Sequence, residues 1–210
     1  MSPTANSRID YKTVLAERNA ALNTTAMPTV TLASGHTMPV VAYGTFRASP
    51  GESYESVLAA LHVGYRHFDL AHVYGNEHEI GTAFANAFSN NIVQRSDLFI
   101  TGKLWNSDHD VDIVPHACHH SLRNLQLDYF DLYLIHFPVA WKHTGLATPS
   151  WGKSEFGDTP LIDTWRGTYK RRTRTEQGFC ISHFYFFAHF FLFSYVSRSN
   201  KLILLQQTYI

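Results

Sequence analysis

An α/β fold built on a parallel sheet is predicted for this chain by three observations. From about Thr29 onward, short apolar runs alternate with segments of helical periodicity; strands that alternate with helices of ten or more residues make βαβ units. The runs are nearly apolar throughout, not only at every second residue, as befits strands covered on both faces. Ionisable residues gather where the runs end, the side on which parallel sheets keep their chemistry. No Gly-x-Gly-x-x-Gly follows any of the runs, which argues against a Rossmann dinucleotide site. Four βα units of this kind fit either an open doubly wound sheet or part of a (β/α)8 barrel.

The elements follow in order. "TVTLASGHTMPV" reads as two short strands around Ser34 and Gly35, a hairpin. "VVAYGTF", Val40 to Phe46, is a short apolar run suited to a buried strand. In "SYESVLAALHVG", Tyr54, Val57, Leu58 and Leu61 recur at helical spacing and Gly64 supplies a stop. "YRHFDLA" is the next strand. Asn76 with Glu79 three residues on can form a capping box, opening a helix through Ile80, Ala83, Phe84 and Ala87. "LFITGKLW" is a third strand, followed by a helix to about Leu125 with Pro115 in its early turns, where proline costs least. "YFDLYLIHF" is a fourth strand.

The chain has 210 residues, room for one sizeable core. Its 17 basic and 17 acidic residues balance, so no whole-chain field points to nucleic acid. The balance hides a shift: residues 1–165 carry 10 Lys/Arg against 16 Asp/Glu, and residues 166–210 carry 7 against the single acid Glu176. Two cysteines, Cys118 and Cys180, stand in no paired spacing, which fits a reducing compartment, and the cytoplasm is the expected location. Residues 1–26 are polar, without the apolar stretch of a secretory signal, and read as an extension. The expected organisation is therefore an extension over 1–26, a domain over 27–165 and a basic, Phe-rich tail over 166–210.

Asp69 ends the second strand of the alternation, Tyr74 lies in the loop after it, Lys103 is near the end of the third and His136 near the end of the fourth. In a parallel layout these ends share one face. The set has a readable chemistry. A tyrosine left alone titrates near about pH 10 and gives up its proton reluctantly. An adjacent ammonium stabilises the phenolate and makes release easier. A carboxylate beside that ammonium keeps it charged, and a histidine can orient a substrate oxygen. Such a site suits protonating an alkoxide as hydride reaches a carbonyl carbon, and hydride requires a nicotinamide or flavin. A competing cluster, "PHACHHSL", sets His116 and His120 four apart on a helix with Cys118 and His119 between. Helical histidines at that spacing can bind zinc; with no third and fourth ligand evident, a solvated helix face is the expectation and no metal is assigned.

"GYRHFDLAHVYGNEHEIG", Gly64 to Gly81, resembles the first signature of the aldo-keto reductases, and "SLRNLQLDYFDLYLIHFP", Ser121 to Pro138, resembles the second. "ITGKLW" around Lys103 and "YGTF" fit as well, so the resemblance runs from about Thr29 to Trp165. It implies a (β/α)8 barrel, here about its first four βα units after an N-terminal hairpin, and NADPH- or NADH-dependent reduction of aldehydes and ketones. By the same resemblance Tyr74 is the proton donor, Lys103 lowers its pKa, Asp69 pairs with Lys103 and His136 orients the carbonyl. Gly44, Thr45 and Phe46 would lie along the cofactor with Asp69 near its ribose. Trp105, Phe137 and Trp141 would line an apolar pocket with His136, for a small-molecule carbonyl substrate.

After "DTPLIDTW" the resemblance stops: no Gly-Val-Ser-Asn strand end and no Lys-Ser segment appears in residues 166–210. A retained intron, a frameshift or a faulty gene model would each explain a join at Trp165–Arg166. The expectation is a truncated barrel whose first and fourth strands are open edges able to drive oligomerisation, with activity impaired. A non-catalytic remnant or interaction protein is the alternative. Residues 179–196 carry no Lys, Arg, Asp or Glu and just reach the length of a spanning helix. Their serines and histidines weaken that reading, which leaves membrane attachment as a third alternative.

Overall fold

The computed structural model describes residues 27–32, 35–49, 51–146, 155–169, 180–181 and 184–186. Strands β1 (Thr29–Thr31) and β2 (Thr37–Pro39) form the expected antiparallel hairpin, with Val30 opposite Met38. Gly35 sits in its turn at φ 84°, a left-handed conformation that glycine adopts without the steric cost a Cβ would bring. Leu32 and Met38 pack on Phe99, Leu132 and Leu134, so the hairpin closes the end of the sheet where the central strands begin.

The main sheet contains β3 (Tyr43–Gly44), β4 (His67–Asp69), β5 (Phe99–Leu104), β7 (Leu132–Ile135) and β9 (Phe184–Phe186) in the spatial order β3-β4-β5-β7-β9. Every pairing in it is parallel. Helices α1 (Glu52–His62), α2 (Glu77–Ser89) and α3 (Val114–Leu125) cover one face. Their apolar stripes, Val57 and Leu61, Ile80, Ala83, Phe84 and Ala87, and Val114, Leu122 and Leu125, meet Phe68, Ile100, Leu104, Tyr133 and Ile135 from the strands in one core. The alternate strand residues His67, Phe99, Thr101, Leu132 and Leu134 are buried on the other face, where His67 Nε2 and Thr101 Oγ1 lie 2.9 Å apart. This is the α/β parallel architecture of a partial (β/α)8 barrel.

Helix ends follow their residues. Gly64, at φ 100°, turns the chain out of α1; Pro115 lies in the first turn of α3, and Gln126, at φ 55°, terminates it. The capping box expected from Asn76 and Glu79 does not form. Asn76 Nδ2 instead donates to the Thr45 carbonyl at 2.9 Å, and the Glu79 carboxylate accepts from the Gly51 N–H at 2.9 and 3.0 Å. Both side chains thus satisfy backbone groups of neighbouring segments.

Three further expectations are corrected. Of Val40–Phe46, only Tyr43–Gly44 is a strand, and Val40, Val41 and Phe46 are 48%, 43% and 51% exposed. The cause is position: among the described residues β3 is an edge, paired with β4 alone. The run 129–137 is two strands, β6 (Tyr129–Phe130) and β7, broken at Asp131. The Asp131 carboxylate accepts from the Ile100 N–H and from Arg95 Nη2, each at 2.7 Å, with Arg95 also lying over the Tyr129 ring. A charged residue with partners on β5 takes the chain out of the ladder for one step. The fourth strand, finally, is not an open edge: β7 pairs β9, with Tyr133 opposite Phe184, and β6 pairs β8 (Cys180–Ile181).

Helix α4 (Leu161–Tyr169) runs without a break across Trp165–Arg166 and approaches the turn before α3 so closely that a Cβ on Gly167 would lie 2.8 Å from the Val111 carbonyl oxygen. The extension 1–26 lies outside the described residues. Within 179–196 only the strands Cys180–Ile181 and Phe184–Phe186 are described, and the question of a membrane span otherwise falls outside them. Among the described residues no helix is long and apolar enough to cross a membrane.

Candidate active site

The parallel register brings the four ionisable residues to one end of the sheet. Asp69 is the last residue of β4, level with Gly44 on β3 and Thr101 on β5. Lys103 is level with Leu134 on β7, and His136 directly follows that strand, its N–H bonded to the Leu104 carbonyl at 3.0 Å. Tyr74 closes a short 3-10 turn, His72–Tyr74, that leads from β4 toward α2. Gly75, at φ 73°, then reverses the chain.

Lys103 is the hub. Its Nζ makes an ion pair with Asp69, donates to the Leu70 carbonyl at 3.0 Å and reaches the Tyr74 hydroxyl at 3.2 Å. Its side chain is 11% exposed and that of Asp69 37%, so the ammonium is shielded while the carboxylate meets solvent. The His136 ring stands edge-on to Tyr74 with centroids 5.9 Å apart. Burial, with the charge of Lys103 adding to it, lowers the His136 pKa to about 3. The imidazole is therefore neutral at physiological pH and can offer a hydrogen bond without carrying charge. Its Nδ1 is buried and closes no hydrogen bond among the described residues.

The aromatic residues form one wall. Trp105, 2% exposed, meets His136 at 5.2 Å, Phe137 at 6.0 Å and Trp141 at 5.3 Å, and His136 stacks on Phe137. On the other side Phe46 lies 4.9 Å from the Tyr74 ring. Thr45 is buried, and its Oγ1 donates to the Asp69 carbonyl at 3.1 Å. A Cβ added to Gly44 would meet nothing within 4 Å, so the backbone there borders open space that a flat ring can approach.

Several residues of this end were not foreseen. Asn106 donates to the Val139 carbonyl at 2.8 Å and receives the Trp141 N–H on its own carbonyl at 2.8 Å, tying the loop after β7 to the turn after β5. Behind that turn the buried Glu77 pairs with His72 and the buried Asp108 with the partly exposed His143. The polar run "NSDHD" directly after a strand end is the signal that marks them, since polar residues there point to the same face as the tetrad. The residues of the histidine-rich helix scatter. Cys118 is fully buried against Tyr133, and burial pushes its thiol pKa up; His120 turns inward with its ring 5.1 Å from that of His72. A solvated face thus describes His116 but not its neighbours. Among the described residues no three His, Cys, Asp or Glu side chains are placed to hold a metal ion. An open cavity of about 620 Å3 beside Trp141, lined by Asp110, Lys142, His143, Thr159 and Asp163 among others, contains no member of the tetrad.

Comparison with known proteins agrees with this geometry. Residues 40–169 match the model of the Aldo/keto reductase family. An NADP-dependent D-sorbitol-6-phosphate dehydrogenase of Malus domestica is 43% identical over 153 residues, covering 69% of this chain and 48% of the relative. Among solved structures, the aldose reductase of Schistosoma japonicum superimposes with a TM-score of 0.67 at 41% identity, over 76% of this chain and 52% of its own. A Bombyx mori aldo-keto reductase in complex with NADP gives a TM-score of 0.61 at 39% identity, over 70% and 47%. The chain thus spans about half the length of the relatives it matches.

Proposed function

The chain belongs to the aldo/keto reductase family, and from that premise we propose that it carries the proton-transfer centre of an NAD(P)H-dependent reduction of aldehydes and ketones to alcohols. The observation that carries the reading is Lys103 Nζ held between the Asp69 carboxylate and the Tyr74 hydroxyl. The nicotinamide, when bound, supplies the hydride. As the carbonyl carbon gains that hydride, the π electrons pass to its oxygen, and Tyr74 gives up its proton to the developing alkoxide. The phenolate left behind faces an ammonium 3.2 Å away, which favours it electrostatically. Asp69 holds that ammonium in place, and the Leu70 carbonyl fixes its third direction. His136, neutral and stacked on Phe137, hydrogen-bonds the carbonyl oxygen without competing for the proton. Trp105, Phe137 and Trp141 exclude water from the apolar part of the substrate.

The residues that would hold the nicotinamide end are Gly44, Thr45, Phe46 and Asp69. They fit a planar ring: the backbone at Gly44 borders open space, and the Phe46 ring and the Asp69 carboxylate are both exposed enough to meet it. The relatives' names include both NADP-dependent and NAD(P)H-dependent enzymes. The test is a chimera joining this chain to the second half of a family barrel, assayed for NADPH oxidation with a simple aldehyde. Tyr74→Phe should lower turnover by about 10²–10⁴-fold with NADPH affinity kept. Retained turnover would refute the role assigned to the phenol.

A further inference from the structure

We propose that His72 and Glu77 position the proton donor: they clamp the turn that presents Tyr74 to α2 and, through Asn124, to α3. The proposal deepens the reductase reading above and rests on it for its meaning. The turn spans three residues, and its backbone closes only through Tyr74 N–H to the Ala71 carbonyl at 3.0 Å and Gly75 N–H to the His72 carbonyl at 3.1 Å. Two such bonds set the local curl; Ala71 and Val73 are buried against Trp105, Lys103 meets the Tyr74 hydroxyl, and His72 adds a tie to α2.

The side chains supply what the backbone does not. His72, the first residue of the turn, places its Nδ1 3.1 Å from Glu77 Oε2. Glu77 opens α2, and the same oxygen accepts from Asn124 Nδ2 of α3 at 3.2 Å. Asp108 sits on the turn that follows β5, the strand of Lys103. Its carboxylate accepts from Ser107 Oγ at 3.1 Å and lies 3.2 Å from His143 Nδ1. His143 belongs to the loop carrying Trp141 and also approaches the Ser107 carbonyl at 3.0 Å. Glu77 and Asp108 are 3% and 1% exposed, and none of these four groups has a part in the chemistry.

Two buried carboxylates are costly unless cations compensate them, and the cations available here are histidines. Burial alone would lower the His72 pKa, but the hydrogen bond and charge of Glu77, then the charge of Asp108 and the Leu146 carbonyl, outweigh it and raise the pKa. His120 faces His72 from α3, its own pKa lowered first by burial and then by that neighbouring histidine, with Arg123 adding to the effect. Burial raises the Asp108 pKa against the pull of Ser107, His72 and His143. The clamp is therefore tightest when His72 is protonated and loosens as pH rises past its midpoint.

The full chain, labelled with 13Cζ-tyrosine and 15N-histidine, tests this without turnover. Tyr74→Phe and His72→Gln assign the two signals. Cross-relaxation between the Tyr74 and Phe46 rings, 4.9 Å apart, reports the position of the turn. We expect the Tyr74 signal to inflect at the His72 midpoint and the cross-relaxation to weaken above it. Glu77→Gln keeps the shape and removes the charge, so the His72 midpoint should fall and the Tyr74 inflection should follow it. His72→Gln should abolish the inflection. A Tyr74 signal and ring contact that cross the His72 titration unchanged, or an inflection that survives His72→Gln, would overturn the proposal. Failure of the reductase reading looks different: the coupling would stand while Tyr74→Phe left carbonyl reduction in the chimera intact.

Discussion

Lys103 has three partners, and one of them, the Leu70 carbonyl, survives any change at Asp69 or Tyr74. Removing the ammonium by Lys103→Met leaves the Asp69 carboxylate and the Tyr74 hydroxyl without the charge between them. In the completed barrel turnover should fall on the order of 10²-fold, as the phenolate loses its counter-charge, while KM for the aldehyde, which the proposal assigns to Trp105, Phe137 and Trp141, should stay near its original value. Steady-state kinetics separates the two parameters, and a loss confined to KM would contradict the assignment. The histidines make a second, pH-linked prediction. His136 and His109 have pKa values lowered by burial to about 3 and about 4, and His62, His67 and His120 are lowered too, burial being the largest cause in each. Between about pH 6.5, where a histidine of the unfolded chain takes up its proton, and the depressed native values, the unfolded state binds more protons. Stability therefore rises with pH through that window and is lost on acidification, by on the order of a few kcal/mol from His136 and His109 together. His72 and Asp108, both raised, act in the opposite sense and leave a smaller net slope. Urea denaturation at pH 7 and pH 5 measures it; equal midpoints would mean that these histidines do not stay neutral in the fold.

At the scale of elements, two glycines mark where backbones approach too closely for a side chain. A Cβ on Gly81 of α2 would lie 2.4 Å from the Asn124 carbonyl oxygen and 2.7 Å from the Leu125 carbonyl carbon of α3. A Cβ on Gly102 of β5 would meet the Phe130 ring at 2.6 Å. The first obstacle is helix backbone, which yields only if the helices separate; the second is a side chain that can shift. Gly81→Ala should thus cost more than Gly102→Ala, about 1–3 kcal/mol as for other overpacked sites, and thermal unfolding of the two variants gives the order directly. Neither contact was legible in the sequence, because a small residue inside a helical or apolar pattern says nothing about which element it meets. The pattern did reveal what periodicity and strand direction control: three helices with their buried stripes, the hairpin, and the common end for Asp69, Lys103 and His136. It failed where a polar side chain had a choice of partner. Asn76 and Glu79 have the spacing of a capping box yet bond to Thr45 and Gly51, and Asp131 looked like one polar residue in an apolar strand but breaks that strand to serve Arg95 and Ile100. Local spacing fixes which bonds are possible, and only the tertiary arrangement decides between them.

For the whole molecule, the question is whether the tetrad of these 210 residues acts on its own, and the prediction is that the purified chain binds NADPH weakly and reduces aldehydes little. The tetrad and the aromatic wall come from the ends of β4, β5 and β7 and are in place. On the proposed reading, the described residues that would meet the dinucleotide are the segment Gly44–Phe46 and Asp69, all at its nicotinamide end. That segment belongs to an edge strand with Val40, Val41 and Phe46 about half exposed, and among the described residues no strand pairs its outer side. Strand β9 covers the opposite edge, which helps the sheet but adds no identified contact near Gly44. Catalysis needs the reacting atoms within about 3–3.5 Å and aligned, and a cofactor gripped at one end samples many poses outside that range. Affinity suffers for the same reason, since each ordered group must offset the freedom it loses on binding. Joining the chain to a family-type second half should therefore raise NADPH affinity and turnover together, whereas changes within the tetrad should alter turnover alone. Titration with NADPH followed by tryptophan fluorescence decides the matter, because Trp105 and Trp141 flank the site. Saturable binding with micromolar affinity, accompanied by turnover of a simple aldehyde, would show that Gly44–Phe46 and Asp69 suffice to hold the hydride source against the carbonyl.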